Sequence, residues 1–414
     1  MKRTILFLIV GFLIFSAYSQ KATDSKITFE YVRPPLKPFS KEIKTYSADV
    51  ILVYEAEIKK KKAEHQRKEQ EAEAKYEEDM KQYEIDVKEA EAAYEKDMKA
   101  YNDKSFGEKL VDKKILNENQ PTKKYVSKPY KQLPSEEKYQ KIFDKGVLGS
   151  KIKLEGYDKS GHGGKITVSL QGFDMSGPEI RETKGTKVVN GESRQVMYYQ
   201  ASTKYKHPIY VKIEDPSKGV LVDEFVEVCN DYTIDRSKSV DSRSKVSYYE
   251  TDEYKEKLEN KIIDANILLV NEFVNSKCGF SQIERKTMLR SAKGKKYNYD
   301  DYEQAFQKAQ TAYNMMADNK EEATKQLQEA IGLWENALKE SNVTDKKARV
   351  NRDVDFATRL NLIEACCFTD KFDKANTHMT KLYSMSPSKK EKKTMDEMKE
   401  FMKDAKTRFE ANKS

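Results

Sequence analysis

Residues able to do chemistry are few in this chain, and they stand far apart. His65, His162, His207 and His378 are the only histidines among 414 residues, and none has metal-ligand spacing with another His or with a Cys. A nucleophile and its base would have to meet across segments remote in sequence. Gly161-His162-Gly163-Gly164 looks at first like a phosphate loop. It lacks the Lys-Ser/Thr of such loops, and a strand pattern follows it where a helix N-terminus would be needed, so a flexible hairpin tip is expected. Cys229, Cys278, Cys366 and Cys367 leave two outcomes open: buried free thiols, or a pairing such as Cys229 with Cys278. Cys366 and Cys367 are neighbours, about 100° apart on a helix, so one core should not take both. No catalytic residue, metal ligand or cofactor site is assigned, and the chain reads as non-enzymatic.

Charge and aromatics offer binding chemistry instead. Lys and Arg number 77 against 69 Asp and Glu, a net +8 with both signs interleaved. A nucleic-acid binder would gather that excess on one element, so nucleic acid is not an expected partner. The densest basic cluster, Arg285, Lys286, Arg290, Lys293, Lys295 and Lys296, suits a charge-protected strand edge or an anionic polysaccharide or lipid headgroup. Among 25 Tyr, Tyr198, Tyr199, Tyr205 and Tyr210 fall in a strand-rich region as core or as a glycan platform.

The elements that must hold these groups are legible in outline. Lys2 and Arg3, the apolar run Ile5 to Phe15 and Ala17-Tyr18-Ser19 form a secretory signal peptide over 1–19, cleaved before Gln20. No other stretch is apolar enough to cross a bilayer, so membrane contact would be peripheral. The segment 20–54 holds two strands, Ile27 to Tyr31 and Tyr46 to Tyr54, expected to join a β domain. From 55 to 104 there is no Gly or Pro, and Glu–Lys pairs at i,i+4 favour one long charged helix. Its stripe of Tyr76, Met80, Tyr83, Val87, Ala90, Tyr94, Met98 and Tyr101 follows a heptad with a stutter. That stripe either packs on the chain's own domains or seats a second copy or another protein, with Tyr76, Tyr83, Tyr94 and Tyr101 as contacts. A connector over 105–148 should carry short helices. An antiparallel β domain is expected over 149–235, with turns at Asn190-Gly191 and Asp215–Gly219.

Helices fill 250–414. One runs from Asp252 to about Lys277 with Leu258, Ile262, Ala265, Leu269 and Phe273 on its inner face. Gln282 to Leu289 reads as a lone strand, and Asp300 with Glu303 as a capping box. Leu362, Ala365, Phe372, Ala375, Met379, Leu382 and Pro387 then fall where a helix–turn–helix unit needs them. Their offsets resemble those of the tetratricopeptide repeat (TPR), although Arg359, Ile363 and Cys366 stand where Trp, a small residue and Tyr are usual. Ala330, Trp334, Ala337 and Leu338 match the second half of a degenerate copy. That is fewer than the three or so repeats a free array needs, so the helices from Asp252 should supply the missing burial.

The resemblance is to a bacterial exported TPR-like protein. It implies only the last part of the expected α+β multidomain fold, the C-terminal TPR-like α-helical domain; the strand and helix patterns before it predict an antiparallel β-sandwich-like domain with a long projecting helix. It also implies partner binding on the free helical face, through Arg359, Asn361 and Glu364. The expected role is a scaffold or adaptor for other proteins of a Gram-negative-type envelope, in the periplasm or at the surface. The alternative is a cell-surface carbohydrate-binding protein that uses the β-domain aromatics.

Overall fold

The computed structural model describes residues 20–105, 121–135 and 137–413. The expected signal peptide over 1–19 and the part of the connector at 106–120 lie outside the described residues. In chain order the elements are β1 (Lys21–Arg33), β2 (Thr45–Leu52), α1 (Glu55–Asp103), α2 (Lys145–Lys151), β3 (Asp158–Lys159), β4 (Gly164–Leu170), β5 (Asp174–Met175), β6 (Glu179–Val189), β7 (Glu192–Lys206), β8 (Ile209–Asp215), β9 (Gly219–Phe225) and β10 (Thr233–Arg236). There follow α3 (Asp252–Cys278), β11 (Ser281–Lys293), α4 (Asp300–Asn314), α5 (Lys320–Ala337), α6 (Arg352–Phe368), α7 (Phe372–Ser384) and α8 (Lys389–Ala411). The fold is mixed α+β, with antiparallel strand pairs, a long helix and a helical C-terminal region.

Two apolar cores organise it. The first lies under a five-stranded sheet ordered β3-β2-β4-β8-β9. Ile166, Val168 and Leu170 of β4 and Ile209, Val211 and Ile213 of β8 alternate inward, as the period of a half-buried strand requires, and each is fully buried. They pack on Leu258, Ile262, Ile263, Ile267, Val270 and Val274 of α3. A helix on a sheet closes this core, and a second, four-stranded sheet (order β10-β7-β5, with β6 also paired to β7) reaches its margin through Met175 and Tyr205. The pairing is also not all antiparallel: β2 runs parallel to both β3 and β4. The buried face of α3 is rotated from the expected one, leaving Ala265 exposed and Leu269 half-buried. Ile263, Ile267, Val270 and Val274 carry the buried face instead, and Asn266 on the same side meets the buried His207 at 2.9 Å. The glycines at 163 and 164 are packing devices. Gly163 has φ +98°, and a Cβ there would come within 2.2 Å of the Thr45 carbonyl oxygen, while one on Gly164 would strike the Phe39 ring. The hairpin turn at Asn190-Gly191 has both residues at positive φ, +54° and +83°.

The second core belongs to the C-terminal helices, and here the layout departs most from expectation. β1 does not join the β domain. It pairs along its full length with β11, Lys21 opposite Lys293 and Arg33 opposite Ser281, so the strand read as lone is half of a long two-stranded ribbon. Phe29 of β1 and Leu289 of β11 enter the core of α4 to α8, and Phe29 stacks on Tyr313 with centroids 4.5 Å apart. The burial missing from too few repeats thus comes from this ribbon and from α8, whereas α3 serves the other core. α6 is wrapped on all sides, which is how both Cys366 and Cys367 are buried in one core. All four cysteines are free thiols. The Asp300–Glu303 box does not form: α4 starts after Tyr299, and Asn298 accepts the Asp300 N–H at 2.6 Å. A capping box does close α8, between Ser388 and Glu391.

α1 spans 49 residues, with Ile58 its one buried side chain. At about 1.5 Å per residue it is about 73 Å long. The connector returns along it without helices among residues 121–135 and 137–144. Pro121, Pro129 and Pro134 lack the N–H a helix needs and hold the chain extended. Lys123 pairs with Glu91 at 2.5 Å, and Lys131 pairs with Glu73. Those eight strap residues cover about 26 Å if extended, and the eighteen helix residues between Glu73 and Glu91 cover about 27 Å. The match makes the strap a straight antiparallel companion of the helix.

Candidate functional site

Two places hold residues that sequence reasoning singled out, and a third does not. The first is α6. Asn361 and Glu364 were expected on a free helical face, and that expectation is corrected: both are buried, each 3% exposed. The β11 strand lies over them. Asn361 Oδ1 accepts the Arg290 N–H at 3.1 Å, and its Nδ2 donates to the Arg290 carbonyl at 2.6 Å, so the side chain mimics a neighbouring strand. Glu364 accepts from Arg285 Nε and from Thr287 Oγ1, both at 2.6 Å. Arg359 points to the other side. Its guanidinium holds Asp355 at 2.5 and 3.1 Å and lies 3.2 Å from His378 Nδ1. Burial, helped by the Arg359 charge, drops the His378 pKa to about 4. The expected free face of α6 is covered by the chain's own ribbon; of the basic cluster, Arg285 is spent on Glu364, while Arg290 gives only its backbone to Asn361 and turns its guanidinium to the Met288 carbonyl and Asp24.

The second place is the arm formed by α1 and its strap. Tyr76, Tyr83, Tyr94 and Tyr101 lie on one stripe and are half-buried. Tyr83, Val87 and Ala90 face Lys123 to Val126 of the strap across a cavity of about 320 Å³. Tyr125 and Tyr130 of the strap are each 85% exposed. Charge explains the docking. From Glu71 to Asp103 the helix has twelve acidic and five basic residues, and strap residues 121–135 have four Lys and no acid.

The four β-region tyrosines do not gather. Tyr198 lies over Gly185 of the facing strand, Tyr205 packs toward the sheet core, and Tyr210 of the other sheet stacks edge-on to Phe225 and bonds Asp223. Tyr199, next to Tyr198 on β7, points to the opposite face and is bridged by Val240.

The third place escaped the sequence. Between the open end of the ribbon and the helices lies a cavity of about 460 Å³, within the range of small-molecule sites. Its apolar wall is Tyr31, Phe280, Phe368, Phe401 and Phe409 with Met316. Tyr31 and Phe368 meet edge to face at 5.1 Å. On the polar side Arg408 is fully engaged: Nε holds Asp404 at 2.9 Å, and Nη1 donates to the Pro34 and Ser276 carbonyls at 2.9 and 3.1 Å. Asp370, at φ +59° in the turn between α6 and α7, has its pKa raised by burial, against the pull of Lys320 and Lys413. Arg33 ends β1 in the same wall, and its Nε is buried without a hydrogen-bond acceptor among the described residues. These side chains come from β1, the α4–α5 and α6–α7 turns and α8, and no periodicity links segments so far apart. The one local signal was Arg33 itself, a cation ending a strand just before Pro34-Pro35.

No helix among the described residues is long and apolar enough to cross a membrane, and no three His, Cys, Asp or Glu side chains there converge as metal ligands would. Neither protein-family models, nor curated proteins, nor solved structures match the chain.

Proposed function

We propose that the protein is an exported, non-enzymatic scaffold of the bacterial cell envelope that binds other envelope proteins. In this reading the hairpins α4–α5 and α6–α7, capped by α8, are a degenerate TPR-like array. The β1–β11 ribbon occupies the face of α6 that such an array would offer to a guest. Docking is therefore assigned to the arm, where Tyr76, Tyr83, Tyr94 and Tyr101 line the stripe and Tyr125 and Tyr130 stand out beside it.

The observation that carries this is the arm. A helix of 49 residues with one buried side chain contributes almost nothing to either core, and elements of that kind are kept for reach or for contact. Tyr is among the side chains enriched at protein interfaces, and it gives large contact area at low entropic cost. The same surface suits a second copy of the chain.

A photo-crosslinking amino acid at position 125 or 130 tests the reading in cells. Discrete protein adducts are expected from both positions, with none from the same group at Tyr210. An adduct at twice the chain's mass would identify self-association. Absence of adducts at both arm positions, in a protein that is exported and folded, would count against the scaffold role.

A further inference from the structure

We propose that the cavity between the ribbon end and α8 is a binding site for a long-chain carboxylate, with its chain among the rings and its head on Arg33. The chemistry of the walls argues for this occupant. Tyr31, Phe280, Phe368, Phe401 and Phe409 form an apolar, open recess of about 460 Å³, which favours a ligand with an apolar body. The charges favour an anion. Four cationic side chains line the site (Arg33, Lys320, Arg408 and Lys413) against two carboxylates, Asp370 and Asp404. Asp404 is taken by Arg408, and Asp370 lies in the field of Lys320 and Lys413.

Arg33, like Lys320 and Lys413, has no carboxylate within ion-pair distance among the described residues, and of the three it alone is a planar guanidinium with a buried Nε that has no acceptor. That Nε is out of reach of solvent, so a ligand in the open recess meets the terminal nitrogens of the Arg33 guanidinium. A carboxylate pairs with those terminal nitrogens through short charge-assisted bonds, for which guanidinium geometry is suited. A neutral alcohol offers only an uncharged, weaker acceptor, and a quaternary ammonium offers none and would add to the excess positive charge.

The test titrates the folded full-length mature chain with dodecanoate, dodecanol and dodecyltrimethylammonium by calorimetry. Dodecanoate is expected to bind at least tenfold tighter than either of the others. Arg33→Met should lower dodecanoate affinity about tenfold and leave dodecanol unchanged, while Arg33→Lys should recover part of the loss. Ala405→Trp, which fills the recess from the α8 side, should abolish binding of all three, with thermal unfolding confirming that each variant is folded. Equal affinity for dodecanoate and dodecanol would overturn the assignment of the head to Arg33, and unchanged binding by folded Ala405→Trp would overturn the location. Tighter binding to phosphatidylglycerol vesicles than to free dodecanoate would replace the proposed occupant with a membrane lipid.

Discussion

Tyr313 shows what the helical core tolerates at the level of one atom. Its ring stacks on Phe29 and is fully buried, yet its hydroxyl has no hydrogen-bond partner among the described residues. An unmet buried hydroxyl costs about 1–3 kcal/mol. Tyr313→Phe keeps the stack and removes the cost, so it should raise stability by about 1 kcal/mol in urea unfolding. Glu364→Ala is the opposite case: it strands Arg285 and Thr287 and should cost about 3 kcal/mol. The histidines give a pH test. Burial lowers the pKa of His207 and of His378 from 6.5 to about 4. Between those values the unfolded chain binds protons that the folded chain refuses, so stability is intact above about 6.5 and is lost as pH falls toward 4. Each ring contributes at most about 1.4 kcal/mol per pH unit. The urea midpoint should therefore fall between pH 6.5 and 5, and His207→Gln should remove about half of that fall. A midpoint flat across this window would show that both rings titrate normally.

At the scale of elements, the arm yields a prediction about charge. Lys123→Glu with Lys131→Glu places two acids against the acidic half of α1. Single exposed pairs are worth at most about 1 kcal/mol, but the reversal turns two attractions into repulsions over one short strap. Amide exchange over 121–135 should rise, while the two cores and their unfolding midpoint stay unchanged. Wild-type exchange rates in the double variant would mean that the stripe alone holds the strap. Elements were also where the sequence was most legible. The long helix is written in an unbroken run of helix formers, and its ends fall within a residue of those expected, because local propensity decides an exposed helix. β4, the Asn190-Gly191 turn and the helices around Trp334 and Ala375 follow from local period and turn chemistry too. What could not be read was assembly. β1 and β11 each carry a strand's alternation, but nothing local says that residues some 260 apart pair with each other or that α3 serves the sheet. Asn361 and Glu364 looked like surface because polar residues on a helix usually are. Their partners on β11 are set by topology alone.

Across the whole molecule, the chain threads its two cores alternately: β1 lies with the helices, β2 to α3 with the sheets, and β11 returns to the helices. The described N-terminal end is thus a structural part of the C-terminal body. Asn351 Nδ2 donates to the Gln20 carbonyl at 2.9 Å, and Asn412 Nδ2 reaches the Pro35 carbonyl at 2.8 Å, so both ends of β1 are tied to helices of that body. A protein guest at the α6 face would have to displace thirteen paired residues. The dependence can be measured by complementation. A fragment over 281–413 keeps every helix of the array and β11 but loses Phe29, whose burial alone is worth about 1.5–3 kcal/mol, together with the whole β1 edge. It should be helical but without a cooperative urea transition, and with a weak near-ultraviolet signal from Trp334, the chain's one tryptophan. Adding a synthetic peptide of residues 20–36 should restore both, and the same peptide with Phe29→Ala should not. If the fragment unfolds cooperatively without the peptide, β1 is an accessory to a self-sufficient array, and the α6 face becomes available to partners after all.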